Sequence, residues 1–130
     1  MSAVLDYLKD CGVFYIATMD GDQPRVRPFG AVCEFEGKLY FITANTKNVY
    51  KQLVANPKVE ISAMKGQDSW IRLDGEAKFD DRREARVAML EAVPVLKNMY
   101  NPDDGVMVVF YLDNVKATVC SFTEEPKELA

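Results

Sequence analysis

Two arginines lie two residues apart in the segment RVRPFG, near the start of the chain. Side chains alternate between the two faces of an extended strand, so Arg25 and Arg27 are predicted to point the same way. A guanidinium group can grip two phosphate oxygens with parallel hydrogen bonds, so a phosphate would suit this pair. The alternative is that the arginines pair with carboxylates such as Glu34 or Glu60.

A second group of cations lies at the start of a predicted helix. The sequence from Tyr40 to Pro57 changes from a period of two, typical of a strand, to a helical spacing. Lys47 falls in the first turn of that helix and Lys51 one turn later, so both ammonium groups reach the same side. Cations in a first turn oppose the helix dipole, and a bound anion would remove that penalty. The alternative is two solvated lysines on an ordinary surface helix.

The ends of this helix and the place of the arginine strand follow from local rules. Asn45 or Thr46 is predicted to cap the helix, because a short side-chain oxygen can accept a hydrogen bond from a free N–H group of the first turn. The helix is predicted to end at Asn56-Pro57, since proline pushes the preceding residue out of helical conformation. Pro28 removes a hydrogen-bond donor, so its strand is expected at a sheet edge or a bulge.

The composition restricts the possible functions. A chain of 130 residues suits one domain, predicted as residues 1–122 followed by a charged tail of residues 123–130. The net charge of −4 argues against a nucleic-acid partner, and no apolar run is long enough to span a membrane, so a cytoplasmic protein is expected. The chain has no histidine, the commonest general base and metal ligand, and we predict no metal site. The cysteines Cys11, Cys33 and Cys120 are predicted to be small buried apolar residues.

Most of the chain has the alternation of β-strands. Val13–Met19, Gln23–Phe35 and the strand containing Leu39–Thr43 are predicted to form an antiparallel meander with a tight turn at Glu36-Gly37. The other predicted elements are a helix over Ser2–Cys11, strands over Lys58–Met64, Ser69–Phe79, Val106–Leu112 and Ala117–Phe122 with a bend at Asp113-Asn114, a helix capped by Asp80-Asp81, and a helical turn over Val95–Tyr100. This order favours a mainly β (α+β) fold, a six- or seven-stranded antiparallel barrel with flanking helices.

Two features indicate that parts of the barrel surface are covered. Trp70 falls on the polar face of its strand, where a large aromatic ring needs cover from a partner subunit or a ligand ring. The alternative for Trp70 is packing under a local loop. The strand over Val106–Leu112 is apolar on both faces, as expected for a barrel wall that a helix or a second subunit also covers. The tail over Thr123–Ala130 is expected to be frayed.

Three segments together resemble a known family. They are RVRPFG at Arg25–Gly30, YFITANTKNVYKQLVANPKVEI at Tyr40–Ile61, and WIRLDGEAKF at Trp70–Phe79. Their order and spacing resemble those of the small, stand-alone members of the pyridoxamine 5′-phosphate oxidase-like, FMN-binding split-barrel family. The resemblance covers the chain from Leu8 to about Phe122. It implies a split-barrel homodimer that holds FMN at the dimer interface.

The resemblance implies roles for the arginine strand. The strand with Arg25, Arg27 and Pro28 would run beside the flavin, with its backbone at the ring and an arginine at the phosphate. An FMN phosphate carries close to two negative charges near neutral pH, like other phosphomonoesters. Two arginines, a lysine and a helix N-terminus would balance these charges without a glycine-rich loop, and the chain has no GxGxxG or Walker-type motif.

The same resemblance assigns roles around the predicted helix. Thr43, Thr46 and Lys47 would hold the phosphate or the ribityl chain of FMN, and Trp70 would reach the flavin from the second subunit. Several relatives have Ser-Arg-Lys in the turn that opens the helix, where this chain reads KNV. Lys47 or Lys51 would therefore have to supply the charge that the missing arginine and lysine provide in those relatives.

The implied function is an FMN-dependent oxidoreductase acting on a small molecule. True pyridoxamine phosphate oxidases carry a C-terminal segment rich in arginine and histidine, whereas this chain ends in EEPKELA, so that activity is disfavoured. Nitroimidazole reductases and haem-degrading relatives are associated with a histidine, which this chain lacks. The alternatives are a deazaflavin-dependent reductase, a non-catalytic flavin or nucleotide carrier or sensor, and a barrel that has lost its ligand. No general acid or base is identified, because Tyr40, Tyr50 and Cys33 are expected to be structural.

Overall fold

The computed structural model describes residues 2–129 and contains one antiparallel sheet of eight strands. The strands are β1 (Phe14–Asp20), β2 (Gln23–Phe29), β3 (Val32–Phe35), β4 (Lys38–Ala44), β5 (Lys58–Lys65), β6 (Ser69–Asp80), β7 (Met107–Ser121) and β8 (Lys127–Glu128). The helices are α1 (Ser2–Cys11), α2 (Asn48–Ala55) and α3 (Arg83–Ala92), with a 3₁₀ helix at Pro94–Asn98. Among these helices, none is both long and apolar enough to cross a membrane.

The sheet curls into a barrel that stays open along one seam. Its strand order is β2-β1-β5-β6-β7-β4-β3, and β8 pairs with β7 outside that path. The two edge strands, β2 and β3, follow each other in the chain with only Gly30 and Ala31 between them. The sheet must therefore curve until its edges meet, although no ladder joins β2 to β3 within the described residues. This is the mainly β split barrel that the sequence predicts, with seven main strands and a short eighth.

Two hydrophobic cores lie on opposite faces of the barrel wall. The barrel core fills the interior and includes Phe14, Ile16, Phe41, Ile61, Leu73 and Phe110, all fully buried. The helix-side core lies between the outer face of β3, β4 and β7 and the helical segments, and includes Tyr40, Met89, Leu96 and Val109. Each such side chain stabilises the fold by about 1.5–3 kcal/mol relative to full exposure. Strand β7 contributes Phe110 to one core and Val109 to the other, which confirms the prediction that it is buried on both faces.

The predicted meander of three strands is wrong in one respect, which the pairing of the strands explains. The predicted strand Gln23–Phe35 is in fact two strands, since β2 pairs with β1 and β3 pairs with β4 at the opposite edge of the sheet. Pro28 lies on an edge strand, as predicted, and the turn at Glu36-Gly37 is confirmed by positive φ angles of 52° and 79°.

The C-terminal third contains further corrections. The bend predicted at Asp113-Asn114 does not divide the last strands, because β7 runs through it as one strand. A bulge where the register shifts between Asp74 and Glu76 and a positive φ of 53° at Asn114 absorb the irregularity. Within the described residues the tail is not frayed, since Lys127 and Glu128 pair with β7, and Ala130 lies outside the described residues.

Cap and burial predictions were partly wrong. Helix α3 is preceded by Arg82, with no side-chain cap from Asp80 or Asp81. Of the three cysteines, only Cys33 is fully buried, whereas the other two are half-buried. Burial raises the pKa of the Cys33 thiol to about 11, which fits the structural role that the sequence predicts for it.

Candidate functional site

Arg27 on the edge strand β2 is held by neutral groups. Its Nη1 donates to Thr18 Oγ1 at 2.7 Å and to the Ile16 carbonyl oxygen at 3.3 Å. Its Nη2 donates to Gln52 Oε1 at 2.7 Å. Within residues 2–129 no carboxylate forms an ion pair with Arg27. Partial burial lowers the pKa of Arg27, because desolvation disfavours the charged form, so a nearby anion would relieve an existing cost.

Arg25 lies on the same face as Arg27 but in a different environment. Its Nε lies 3.3 Å from Asp20 Oδ2, and both side chains are about half exposed. The alternative prediction that the arginines pair with carboxylates is thus right for Arg25, although the partner is Asp20 instead of Glu34 or Glu60. Exposed pairs of this kind are weak, so Arg25 can still turn toward a stronger anion.

Helix α2 begins without the predicted cap. Its N-cap residue is Lys47, no side chain caps it, and its first turn contains no acidic residue. Asn45 instead donates from Nδ2 to the Gly105 carbonyl oxygen at 2.9 Å, and Thr46 is exposed. The capping prediction for Asn45 or Thr46 was therefore wrong. The uncapped start of α2 favours a bound anion there, because the positive end of the helix dipole is not offset by a local carboxylate.

The hydroxyl group of Thr43 is an unexplained buried polar group. Thr43 is 3% exposed, and its Oγ1 has no hydrogen-bond partner in the described part of the chain. Leaving a buried hydroxyl unpaired costs about 1–3 kcal/mol, so such a group calls for an explanation. Thr43 lines a surface cleft, where a bound molecule could supply the missing partner.

Six of the eight predicted site residues line two neighbouring clefts that share Arg27, whereas Thr46 and Trp70 line neither cleft. The first, which we call the apolar cleft, has a volume of about 390 Å³ and is lined by Arg27, Pro28, Phe29, Gly30, Ala31, Ile42, Thr43, Lys47, Val49, Val93, Val95, Leu96, Met99 and Tyr100. The second, the basic cleft, has a volume of about 630 Å³ and is lined by Met19, Asp20, Gly21, Arg25, Val26, Arg27, Asn48, Lys51, Gln52 and Ala55. The apolar cleft thus lies beside the basic cleft, which is lined by three cations, and Arg27 lines both clefts.

Sequence reasoning missed several residues in and beside these clefts. Thr18 is the buried polar side chain of β1, on the same face as Phe14 and Ile16, and that break in the apolar pattern was a usable signal. Gln52 lies one helical turn after Asn48, on the face of α2 that meets the arginines. The apolar wall contributed by Val95 in the 3₁₀ helix and by Met99 just after it gave no local signal, because only the tertiary fold brings it beside β2.

Trp70 lies away from both clefts within one chain. Its ring packs against Phe122 with ring centroids 5.0 Å apart, and Trp70 is half-buried. In the sheet register Arg27 aligns through Ile16 with Ile61, whereas Trp70 aligns with Met64 on the same strand as Ile61. Positions 61 and 64 point to opposite faces, so Trp70 is on the outer face and Arg27 on the inner one.

Tyr40 and Tyr50 have structural partners, as expected from the sequence. Tyr40 is buried and donates to Asp80 Oδ2 at 2.7 Å, and burial together with this hydrogen bond raises its pKa to about 12. Tyr50 packs on Phe79 with ring centroids 4.9 Å apart. Neither ring is among the residues that line the apolar or the basic cleft.

Fold and site together define the class of protein: an antiparallel split barrel with an apolar and a basic cleft joined at an arginine. The family model for pyridoxamine 5′-phosphate oxidase matches residues 1–115. The chain therefore belongs to the pyridoxamine 5′-phosphate oxidase-like split-barrel family, as its sequence motifs predicted. No match was found among curated proteins.

Solved structures agree with this assignment. A NimC/NimA family protein from Clostridium acetobutylicum is 57% identical, with a TM-score of 0.93, over 99% of this chain and 93% of that protein. At this identity and coverage the chain also belongs to the NimC/NimA family. A pyridoxamine 5′-phosphate oxidase-related, FMN binding protein from Nostoc punctiforme is 15% identical, with a TM-score of 0.69, over 99% of this chain and 96% of that one.

A third structure, like the Nostoc punctiforme protein, shares the fold alone. A heme binding protein from Mycobacterium smegmatis is 18% identical, with a TM-score of 0.74, over 95% of this chain and 55% of that protein. At this identity the likeness shows a common architecture. This likeness shows nothing about the ligand of this chain.

Proposed function

We propose that this protein binds FMN across the two clefts and acts as a flavin-dependent oxidoreductase on a small molecule. The observation that carries the proposal is the position and pairing of Arg27. Its guanidinium group is held only by neutral acceptors and lies where the apolar cleft meets the basic cleft. A ligand with an apolar ring system at one end and a phosphate at the other matches this arrangement.

The phosphate end of FMN would be held by the cations around Arg27. Arg25 and Lys51 line the same basic cleft, and Lys47 lies at the N-terminus of α2 beside the apolar cleft. Charge-assisted hydrogen bonds from these groups to a phosphate are about twice as strong as neutral ones. The one carboxylate of the basic cleft, Asp20, already pairs with Arg25, so it opposes the phosphate less than a free carboxylate would.

The ring and ribityl chain of FMN would occupy the apolar cleft. Backbone from Pro28 to Ala31 lines one wall of that cleft and the 3₁₀ helix lines another, so ring edges could meet backbone groups while ring faces meet apolar side chains. The partnerless Thr43 hydroxyl would gain a hydrogen-bond partner there. When bound, FMN supplies the redox chemistry, and these residues bind it, orient it and exclude water.

We also propose that the protein is a homodimer with the flavin at its interface. Val95 and Met99 line the apolar cleft yet are 66% and 69% exposed, and Tyr15 and Val26 on the outer face of the sheet are 50% and 67% exposed. Large exposed apolar side chains such as these are common at association surfaces. Because Trp70 is on the outer face, it would contact a flavin only from the partner subunit. Sedimentation velocity at micromolar concentration tests this, and a strictly monomeric FMN complex would contradict it.

A non-catalytic carrier or sensor of flavin is the second candidate function. Among the described residues, the titratable side chains that line the apolar cleft are those of Arg27, Lys47 and Tyr100, and none of these three is a carboxylate or histidine that commonly acts as a general base. This favours a protein whose function is to hold the cofactor. It does not weigh against hydride transfer, which a flavin can carry out without a protein base.

The test begins with an absorbance spectrum of the purified protein after addition of FMN and removal of the excess. Retained bands near ~370 and ~450 nm, typical of oxidised flavin cofactors, would support the binding proposal. NADH or NADPH is then added without oxygen. Rapid bleaching would support the oxidoreductase, whereas bound FMN that neither nucleotide reduces would favour the carrier. A colourless protein would contradict FMN binding, and the same trial with a deazaflavin would then follow.

A further inference from the structure

Three side chains from three elements form a closed hydrogen-bonded triangle beside the basic cleft. Arg27 of β2 donates to Thr18 of β1 and to Gln52 of α2, both at 2.7 Å. The Thr18 hydroxyl in turn donates to the same Gln52 Oε1 at 2.6 Å. Thr18 is 1% exposed and fixed on its strand, so the triangle sets both the position and the plane of the guanidinium group.

The neutrality of this triangle distinguishes Arg27 from most other arginines of the chain. Arg25, Arg72, Arg82 and Arg83 each form an ion pair with a carboxylate. At Arg27, a glutamate in place of Gln52 would have the same length and shape and would give a stronger, charged hydrogen bond. The chain has glutamine there instead, which holds the guanidinium group in place without cancelling its charge.

We infer that Gln52 and Thr18 are positioning residues that fix Arg27 for a phosphate while leaving its positive charge available. The inference rests on the proposed FMN function and adds to it a specific requirement for a neutral acceptor at position 52. A carboxylate at that position would compete with the phosphate for the same N–H groups and would offset part of the attraction. The two roles of Gln52, tethering α2 and sparing the charge of Arg27, can thus be separated by experiment.

The discriminating variant is Gln52→Glu, because it keeps the tether and removes the neutrality. The matched control is Gln67→Glu, which adds the same charge at an exposed turn between β5 and β6. Each protein is titrated with FMN and with riboflavin, which has the same ring and ribityl chain but no phosphate. The ratio of the two dissociation constants reports the contribution of the phosphate alone. Thermal unfolding of each ligand-free variant reports the tether.

The inference predicts that Gln52→Glu weakens FMN binding by roughly 10- to 100-fold, the equivalent of losing one charge-assisted hydrogen bond. Riboflavin binding and the unfolding midpoint should stay at or above the parent values, and Gln67→Glu should match the parent throughout. Thr18→Val should also lower the FMN-to-riboflavin preference, whereas Thr18→Ser should keep it.

Other outcomes overturn the inference in distinguishable ways. If Gln52→Glu binds FMN as tightly as the parent, neutrality at position 52 has no role, although the proposed function stands. If FMN and riboflavin binding fall equally and the unfolding midpoint drops, Gln52 is only a structural tether of α2. A parent protein that binds neither flavin overturns the proposed function, and this inference with it.

Discussion

The Tyr40 hydroxyl donates a 2.7 Å hydrogen bond to Asp80 Oδ2 and thereby joins strand β4 to the end of β6. Arg82 donates to the same carboxylate and to Glu36, so the contact also fixes the start of α3. Hydrogen bonds from Arg82, supported by Tyr40, hold the pKa of Asp80 well below its usual range. This cluster anchors the helix-side core. Its Tyr40 lies on β4, the strand whose last residues include Thr43.

Asp80 is therefore expected to make stability depend on pH. Its pKa is lower in the folded state than in the unfolded state, so its contribution is complete above the ordinary aspartate pKa of about 3.9 and is lost as pH falls through the folded value. Asp80→Asn should cost about 1.5–3 kcal/mol of unfolding free energy at pH 7, since it removes a charged hydrogen-bond acceptor. Urea unfolding at pH 7 and at pH 3 should show this difference shrinking at the lower pH.

The matched control for this effect is Asp103→Asn. Asp103 pairs with Arg83 at 2.9 Å, but both side chains are largely exposed, and water screens such pairs. The control should leave the unfolding free energy close to that of the parent at both values of pH. Equal losses in the two variants would contradict the anchoring role of the Tyr40–Asp80 contact.

Thr43→Val should change stability and ligand affinity in opposite directions. The variant removes a buried hydroxyl that has no partner among residues 2–129, so the ligand-free protein should gain up to about 1 kcal/mol of unfolding free energy. FMN affinity should fall by roughly 3- to 10-fold, because the proposed hydrogen bond to the ligand is lost. Thr18→Val should instead destabilise the protein, because the Thr18 hydroxyl has hydrogen-bond partners that the variant loses. Unchanged FMN affinity in Thr43→Val would remove Thr43 from the site.

The two arginines of β2 are expected to differ in their effect on FMN binding. Arg27→Ala should weaken binding by roughly 1.5–3 kcal/mol, because it removes a preoriented guanidinium group. Arg25→Ala should cost clearly less, since Arg25 is half exposed and already paired with Asp20. Isothermal titration at two salt concentrations measures both losses. The reverse ranking would place the phosphate deeper in the basic cleft, away from Arg27.

Lys47 provides a separate test of the N-terminus of α2. Lys47→Ala should weaken FMN binding by roughly 1.5–3 kcal/mol if its ammonium group bonds the phosphate. Lys116→Ala, a change of the same type at an exposed position on β7, is the control and should bind FMN like the parent. If both variants match the parent, Lys47 is one of two solvated lysines, the alternative that the sequence left open.

Local patterns in the sequence predicted the regular elements but not the long-range pairing of the edges. The alternation in β5 and β6 and the helical spacing of Val49 and Leu53 gave those elements within a residue or two. The division between β2 and β3 at Gly30 was missed, because both halves have strand-like composition and only the pairing with different partners separates them. The continuity of β7 through Asn114 was missed because asparagine accepts positive φ both in a turn and in a bulged strand.

Part of the candidate site was predictable from the sequence. Arg27, Thr43 and Lys47 were found from residue types and from the family resemblance, and the structure brings all three to the apolar cleft. That they hold a cofactor stays a prediction. The neutral partners of Arg27 were not predicted. Thr18 interrupts the apolar pattern of β1, but Gln52 gave no signal, because an amide side chain on a helix surface stays silent until its neighbour across the fold is known.

The most direct test of the account is a side-by-side titration of the parent protein with FMN and riboflavin at low salt. We expect saturable FMN binding that is at least about 10-fold tighter than riboflavin binding, the preference that one charge-assisted phosphate contact provides. This preference should shrink as salt is added, because the cations of the basic cleft are partly exposed. Equal affinity for the two flavins, or no binding of either, would contradict the central claim that Arg27 and its neighbours form a flavin phosphate site.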